Sequence, residues 1–327
     1  MLECLGVSFR SARQDVRDRV SFTPERAAAF RAKLADAGIG QSLVLSTCNR
    51  CEAFVWLDGR SSAADVRRLF QAEFPDVELD GVLEERTGDA LVYLFRIAAG
   101  LESMVLGEYQ ILGQVKEAHA ASLASGHAGK ELDRILRDAV TCAKRVKTEL
   151  DIGAVPPSVS RSAMEYADRI AGIAGKRVFV IGSGRTGTLA AKIAKRRGAK
   201  SIIVCNRSPE RARKLVDEVG ATVVDYAARY ETIAASDIVV SATASPHVVV
   251  CADRLALARP LVFLDLASPR DVEPAVAENP LVTLVGIDTI GELAAGDRRE
   301  RERLTARGLE IIAGAAAETL AWLEGLS

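Results

Sequence analysis

A thiol and a guanidinium two residues apart offer this chain its first chemistry. In Leu45-Ser46-Thr47-Cys48-Asn49-Arg50-Cys51-Glu52, Cys48 follows the apolar run Leu43-Val44-Leu45, and the segment reads as a strand-to-helix junction. A helix start and a nearby guanidinium each lower a thiol's pKa, and the thiolate is the attacking species. The same residues also suit a free cysteine that serves only as a small buried hydrophobe. Cys48 and Cys51 have the spacing of half a zinc site, but no second pair of cysteines or histidines stands at ligand spacing. A redox pair is the other reading of that spacing, and the surrounding segment lacks the thioredoxin frame.

A second constellation handles phosphate. Gly182-Ser183-Gly184-Arg185-Thr186-Gly187 follows the apolar strand Arg177–Ile181 and opens a helix from Arg185 to about Arg197. That is the setting a G-x-G-x-x-G turn needs: room for a tight turn, close approach of backbone to pyrophosphate, and a helix N-terminus to receive it. The next strand, Ser201–Cys205, ends in Asn206 and Arg207 rather than in the carboxylate that binds an NAD ribose. A guanidinium there suits a 2′-phosphate, so NADPH is the expected cofactor; the plain alternative is an exposed turn arginine. Small residues around Thr243, at the end of a further strand, suit the approach of the nicotinamide half.

These groups need elements to hold them. Residues 1–153 mix short strands and helices, including a helix begun by Thr23 as N-cap with Pro24 at its first turn and stopped near Gly38. From Leu91 to Leu150 the pattern is mostly helical, and Gly153 to Pro157 marks a boundary. Apolar strands then alternate with helices to residue 288, the pattern of a parallel sheet covered on both faces. Residues 289–327 read as one long helix with an exposed apolar stripe ending in Leu320, Trp322 and Leu323. The expected fold is therefore a multidomain α/β protein: an N-terminal α+β catalytic domain, a Rossmann-like doubly wound NADP-binding domain and a long C-terminal linker helix.

Composition excludes several classes. With 49% hydrophobic and 27% charged residues the chain is globular, and its aromatics, at 5%, leave the cores to aliphatic side chains. No apolar run is long enough to span a bilayer, the N-terminus has no signal-peptide profile, and six scattered cysteines suit a reducing compartment. A cytoplasmic protein without membrane contact is expected. A net charge of −1 gives no global sign of nucleic-acid binding, which needs only a local basic face. Lys144-Arg145-Lys147, Arg196-Arg197 and the arginines from 298 to 303 are the basic runs, each readable as a solvated helix face.

Several motifs together carry a family resemblance. Ser46 to Arg50, Ala99-Gly-Leu-Glu-Ser-Met-Val-Leu-Gly-Glu108 with Gln110 to Lys116, and Asp265-Leu-Ala-Ser-Pro-Arg-Asp-Val-Glu-Pro274 resemble, in order, three signatures of glutamyl-tRNA reductases. The resemblance covers essentially the whole chain. It implies that Cys48 attacks the ester of glutamyl-tRNA and that NADPH reduces the resulting thioester to glutamate-1-semialdehyde, a tetrapyrrole precursor. It further implies that Arg50 holds the substrate carboxylate, that Ser103 and Glu108 position the amino acid, and that Thr47 and Gln114 also bind substrate. The downstream semialdehyde aminomutase is the implied partner. Four positions depart from the family's pattern: Tyr93 stands for a histidine, Ser8-Phe9-Arg10-Ser11 for a His-Lys-Thr segment, Tyr109 for a proline and Cys51 for a threonine. The family continues into a helical dimerisation domain after the long helix, so dimerisation by that route is not expected here. Three other readings stay open: a diverged relative that reduces another aminoacyl-tRNA or thioester, a non-catalytic NADPH-binding regulator, and a dehydrogenase resembling shikimate dehydrogenase.

Overall fold

A computed structural model describes residues 1–104, 106–150, 158–293 and 298–325. The expected boundary at Gly153 to Pro157 lies outside them. The chain divides into two compact units, one made of residues 1–157 and 295–327, the other of residues 158–294.

The first unit is built on a four-stranded antiparallel sheet. Its chain order is β1 (Leu2–Ser8), α1 (Gln14–Arg19), α2 (Pro24–Asp36), β2 (Gln41–Ser46), β3 (Arg50–Trp56), α3 (Ala63–Glu73), β4 (Glu84–Thr87), α4 (Ala90–Ala99), α5 (Tyr109–Ala124) and α6 (Lys130–Glu149). The strands lie in the order β2-β3-β1-β4. Both faces of the sheet are covered, so β1 and β3 are almost wholly buried and show no polar alternation. That double burial hides the alternation on which a sequence-based strand assignment depends. α2 and α3 seal one face through Phe22, Phe30, Phe70 and Phe74. α4, α5 and α6 seal the other, with Leu94, Phe95, Ile135 and Val146 fully buried. As the sequence predicts, the Thr23 hydroxyl caps α2 by accepting from the Arg26 N–H at 3.3 Å.

The second unit carries α7 (Val159–Ala171), β5 (Arg177–Ile181), α8 (Arg185–Arg196), β6 (Ser201–Cys205), α9 (Pro209–Val219), β7 (Thr222–Val223), α10 (Arg229–Ala234), β8 (Ile238–Ser241), β9 (Leu261–Asp265), β10 (Val282–Gly286) and α11 (Ile287–Leu293). Its six strands run parallel in the order β10-β9-β8-β5-β6-β7, so the chain starts mid-sheet at β5 and winds outward both ways. The reversal between β5 and β8 makes the crevice where doubly wound sheets bind dinucleotides.

The stretch read as one long helix carries α11 (Ile287–Leu293) and α12 (Arg298–Glu324), and residues 294–297 between them lie outside the described ones. Its apolar stripe, expected to be exposed, is not left open. Ile311, Ile312 and Ala316 of α12 are buried with α4 and α6 in the core of the first unit. Leu323 is half-buried there, and Trp322 takes the cations of Lys130 and Arg134 over its ring. Of the expected stripe only Leu320 is exposed.

Candidate active site

Cys48 sits at the tip of the β2–β3 hairpin. The Thr47 N–H donates to the Arg50 carbonyl at 2.8 Å, which leaves Cys48 and Asn49 as the two tip residues. No helix begins here, so the strand-to-helix junction expected from the sequence is wrong and a helix dipole does not act on the thiol. The Thr47 hydroxyl accepts from the Asn49 N–H at 3.2 Å and so shapes the turn. The tip is also tied to the N-terminal segment: Phe9 N–H donates to the Asn49 carbonyl at 2.8 Å and Arg17 Nε to the Cys48 carbonyl at 3.4 Å.

The thiol's environment opposes the lowered pKa that the sequence suggested. Burial pushes Cys48 up to about 12, the Glu108 carboxylate adds to the rise, and Arg17 and Arg50 only partly offset it. Cys48 is nevertheless half-buried rather than sealed, whereas Cys4, Cys51, Cys142 and Cys205 are buried. Cys51 alternates to the opposite face of β3 and joins the phenylalanine core, with its thiol raised by burial. It is a core residue, and among the described residues no group of side chains is arranged to hold a metal.

Arg50 faces the other way and is 2% exposed. Its Nη1 donates to both oxygens of Glu52 at 3.2 Å and to the Tyr93 hydroxyl at 2.9 Å, and its Nη2 donates to the Glu102 carbonyl. The Tyr93 hydroxyl in turn donates to Glu52 at 2.7 Å. Arg50, expected to hold the substrate carboxylate, is thus braced within the unit by Glu52, Tyr93 and Glu102. Its Nε is buried without a hydrogen-bond partner. Tyr93 is 3% exposed, and burial with Glu52 raises its pKa, so it orients Arg50 and does not act as a base.

Glu108 reaches the thiol because the loop before α5 folds tightly. Gly100 ends α4 with φ +80°, and a Cβ there would lie 3.0 Å from the Glu108 nitrogen and 3.1 Å from its carbonyl oxygen. Ser103 and Glu108 are both buried in the same segment. Lys147 donates to the Glu108 carbonyl at 3.2 Å, and burial pulls its pKa down to about 8 against the pull of Glu108. The sequence reads Lys147 as part of a solvated basic run. Its spacing from Leu136, Ala139 and Ala143, all on the apolar face of α6, was the missed signal. Glu102 was also missed; it pairs with Arg10 at 2.8 Å and with Arg96. Gln114 does not line up with this group and instead lines a separate cleft between α2, β2 and α5.

With this geometry in hand, comparison with known proteins decides the family. The profile for the glutamyl-tRNAGlu reductase N-terminal domain matches residues 5–150, and that for shikimate/quinate 5-dehydrogenase matches residues 165–293. A glutamyl-tRNA reductase of Carboxydothermus hydrogenoformans is 35% identical over 95% of this chain and 72% of its own length. One from Myxococcus xanthus is 38% identical over 92% and 70%. The chain belongs to the glutamyl-tRNA reductase family. The solved glutamyl-tRNA reductase of Methanopyrus kandleri shares its fold, with a TM-score of 0.56 at 30% identity over 99% of this chain and 81% of that one. Membership makes the chain an oxidoreductase of the first step of the five-carbon route to tetrapyrroles.

The second unit of this glutamyl-tRNA reductase relative fits a nicotinamide dinucleotide. A Cβ on Gly187 would strike the Gly182 carbonyl oxygen at 2.0 Å, so α8 packs against the turn only as glycine. A Cβ on Gly184 would meet nothing within 4 Å, leaving that backbone open to a phosphate at the helix start. Arg185 and Thr186 form the first turn of α8, while Ser183 accepts from Asn206 Nδ2 at 2.5 Å. Gly182, Asn206, Arg207 and Thr243 line one pocket of about 180 Å³. Arg207 is no idle turn residue, because it lies over the Tyr226 ring at 5.6 Å and donates to Ser245 at 3.1 Å. The sequence missed the device beneath. Buried Asp271 accepts from Ser241 at 2.7 Å and from the Thr243 N–H and hydroxyl at 2.9 and 2.5 Å, which fixes the pocket wall. Asp265 accepts three backbone N–H groups of the same loop, and burial with Asp271 pushes it up to about 7.

Proposed function

We propose that this chain reduces glutamyl-tRNA with NADPH to glutamate-1-semialdehyde through a thioester on Cys48. One observation carries the reading: in the first unit only Cys48 among the cysteines is open to solvent, and it stands beside Glu108 with Arg17 and Arg50. The resting thiol is protonated. The substrate's ammonium group, set near Glu108, cancels the charge that holds the thiol up, so that bound substrate activates its own nucleophile. The sulfur then bonds to the ester carbonyl carbon, the ester C–O bond breaks, and the tRNA leaves as its 3′-alcohol with the thiol proton. The Nε of Arg50, which no protein group engages, takes the side-chain carboxylate once the substrate has opened a way to it. NADPH supplies the hydride that brings the thioester carbonyl to the aldehyde level. The adduct collapses by breaking its C–S bond, returning the thiolate and freeing the aldehyde for the aminomutase. Gly182, Ser183, Gly184, Arg185, Thr186 and Gly187 would hold the pyrophosphate, and Asn206, Arg207 and Thr243 the adenosine and its 2′-phosphate.

The test is single-turnover reduction of purified glutamyl-tRNA, following aldehyde and cysteine adduct together. Cys48→Ser is expected to form neither while still binding NADPH; aldehyde formation by that variant overturns the thioester route. The tie between Tyr93, Glu52 and Arg50 favours a second reading, a pocket reshaped for another acyl group. Turnover of a different aminoacyl-tRNA, with none of glutamyl-tRNA, would select it.

A further inference from the structure

The first unit holds a second recess that the thioester chemistry does not use. It measures about 340 Å³ and opens between the first turn of α2, β2 and α5. Its polar groups are Thr23, Arg31, Ser46, Gln114 and Glu117, and its apolar walls include Phe22 and Val44. Arg31 is the anomaly. It is 4% exposed, its Nε is buried without a partner, and no described acidic group pairs with it, although Glu117 lines the same cleft. Burial lowers its pKa with no neighbouring carboxylate to offset the cost. Arginine stays charged all the same, and burying a guanidinium without an ion-pair partner is unfavourable unless a ligand provides one. A residue kept at that cost faces an anion.

We propose that this cleft receives the terminal adenosine of the charged acceptor end, with its 5′-phosphate on Arg31 and its base against the apolar wall. The inference rests on the reading of Cys48 given above. Ser46 ends β2 two residues before Cys48, at most about 7 Å along the chain, so the cleft begins within one nucleotide of the attacked ester. Thr23 and Ser46 accept backbone bonds, from Arg26 at 3.3 Å and Phe22 at 3.0 Å, and give their hydroxyl protons to Glu25 and Cys51, so Arg31 and Gln114 are the donors the cleft offers a ligand. Gln114 offers an amide edge. Apolar walls with one cation fit a nucleotide better than inorganic phosphate, which has no flat body to bury.

The test titrates adenosine 5′-monophosphate into the full chain saturated with NADP⁺, so that the dinucleotide pocket is already filled. Saturable binding is expected, weakened about 10- to 100-fold in Arg31→Met. No binding, or equal binding by the variant, overturns the proposal. Inorganic phosphate that binds as tightly as the nucleotide overturns it too, by making the cleft a bare anion site. Arg31→Met should melt no lower than the parent, since an unpaired buried charge is removed; a lower melting temperature with unchanged nucleotide binding marks Arg31 as structural. Kinetics separate this idea from the reaction itself. The penalty should fall on KM for glutamyl-tRNA and not on glutamate methyl ester, which carries no nucleotide. If the parent protein forms no aldehyde from glutamyl-tRNA, the reaction is misread, and the nucleotide titration still decides the cleft.

Discussion

At the scale of single residues, charge decides what each group can do. Cys48 is held up by burial and by Glu108, so removing that negative charge must lower its pKa. Glu108→Gln is expected to shift the pH profile of iodoacetamide alkylation toward neutral pH; an unmoved profile would mean that burial alone sets the thiol. Arg207 makes the matching case for the cofactor. Arg207→Ala should weaken NADPH about 10- to 100-fold by equilibrium titration and leave NADH within a few-fold, since only NADPH offers a phosphate to pair. An equal loss for both would move the phosphate site elsewhere. The identities of Cys48 and Arg207 were legible because their neighbours in the chain frame them. Lys147 and Asp271 were not, because their partners lie 39 and 28 to 30 residues away.

At the scale of elements, the site depends on two tight turns. The β2–β3 hairpin presents Cys48, and the loop from Gly100 to Glu108 brings the carboxylate up to it. Gly100→Ala puts a methyl group against the Glu108 backbone in a left-handed conformation, a strain of about 1–3 kcal/mol. A lower melting temperature is expected together with the thiol shift seen for Glu108→Gln; a normal melt with a normal thiol would show that the loop adapts. The hairpin also explains the one misread element. A polar, cysteine-containing tip after an apolar strand is compatible with a helix start or a turn. The choice fell to the pairing of Ser46 with Cys51, a contact between strands that no local pattern announces.

At the scale of the whole molecule, buried thiols set the alkaline limit. Burial raises Cys4, Cys48, Cys51, Cys142 and Cys205, so the folded chain keeps protons that the unfolded chain gives up from about pH 9. Stability from these groups is complete below that pH and falls as pH rises toward 11–12. Lys147 works the other way between about 8 and its ordinary 10.5 and offsets only part of that loss. Melting temperatures measured from pH 7.5 to 10.5 should therefore fall with the steepest loss above 9; a flat profile would show that the thiols ionise freely while folded. The long α12 also belongs to this scale, since its apolar side completes the core of the first unit.

The sequence by itself determined the linear chemistry of this protein. The Cys48 segment, the glycine turn with its strand and helix, the Arg207 substitution at the second strand and the alternating pattern of the second unit each depend on neighbours in the chain. Tertiary structure alone decided the rest. It chose a hairpin tip over a helix start, spent Arg50 on Glu52 and Tyr93, buried Lys147, turned α12 inward and left Arg31 buried at a cleft without an ion pair. The reason is physical: backbone geometry and phosphate turns are set within a few residues, whereas burial and charge pairing depend on segments that meet only when the chain has folded.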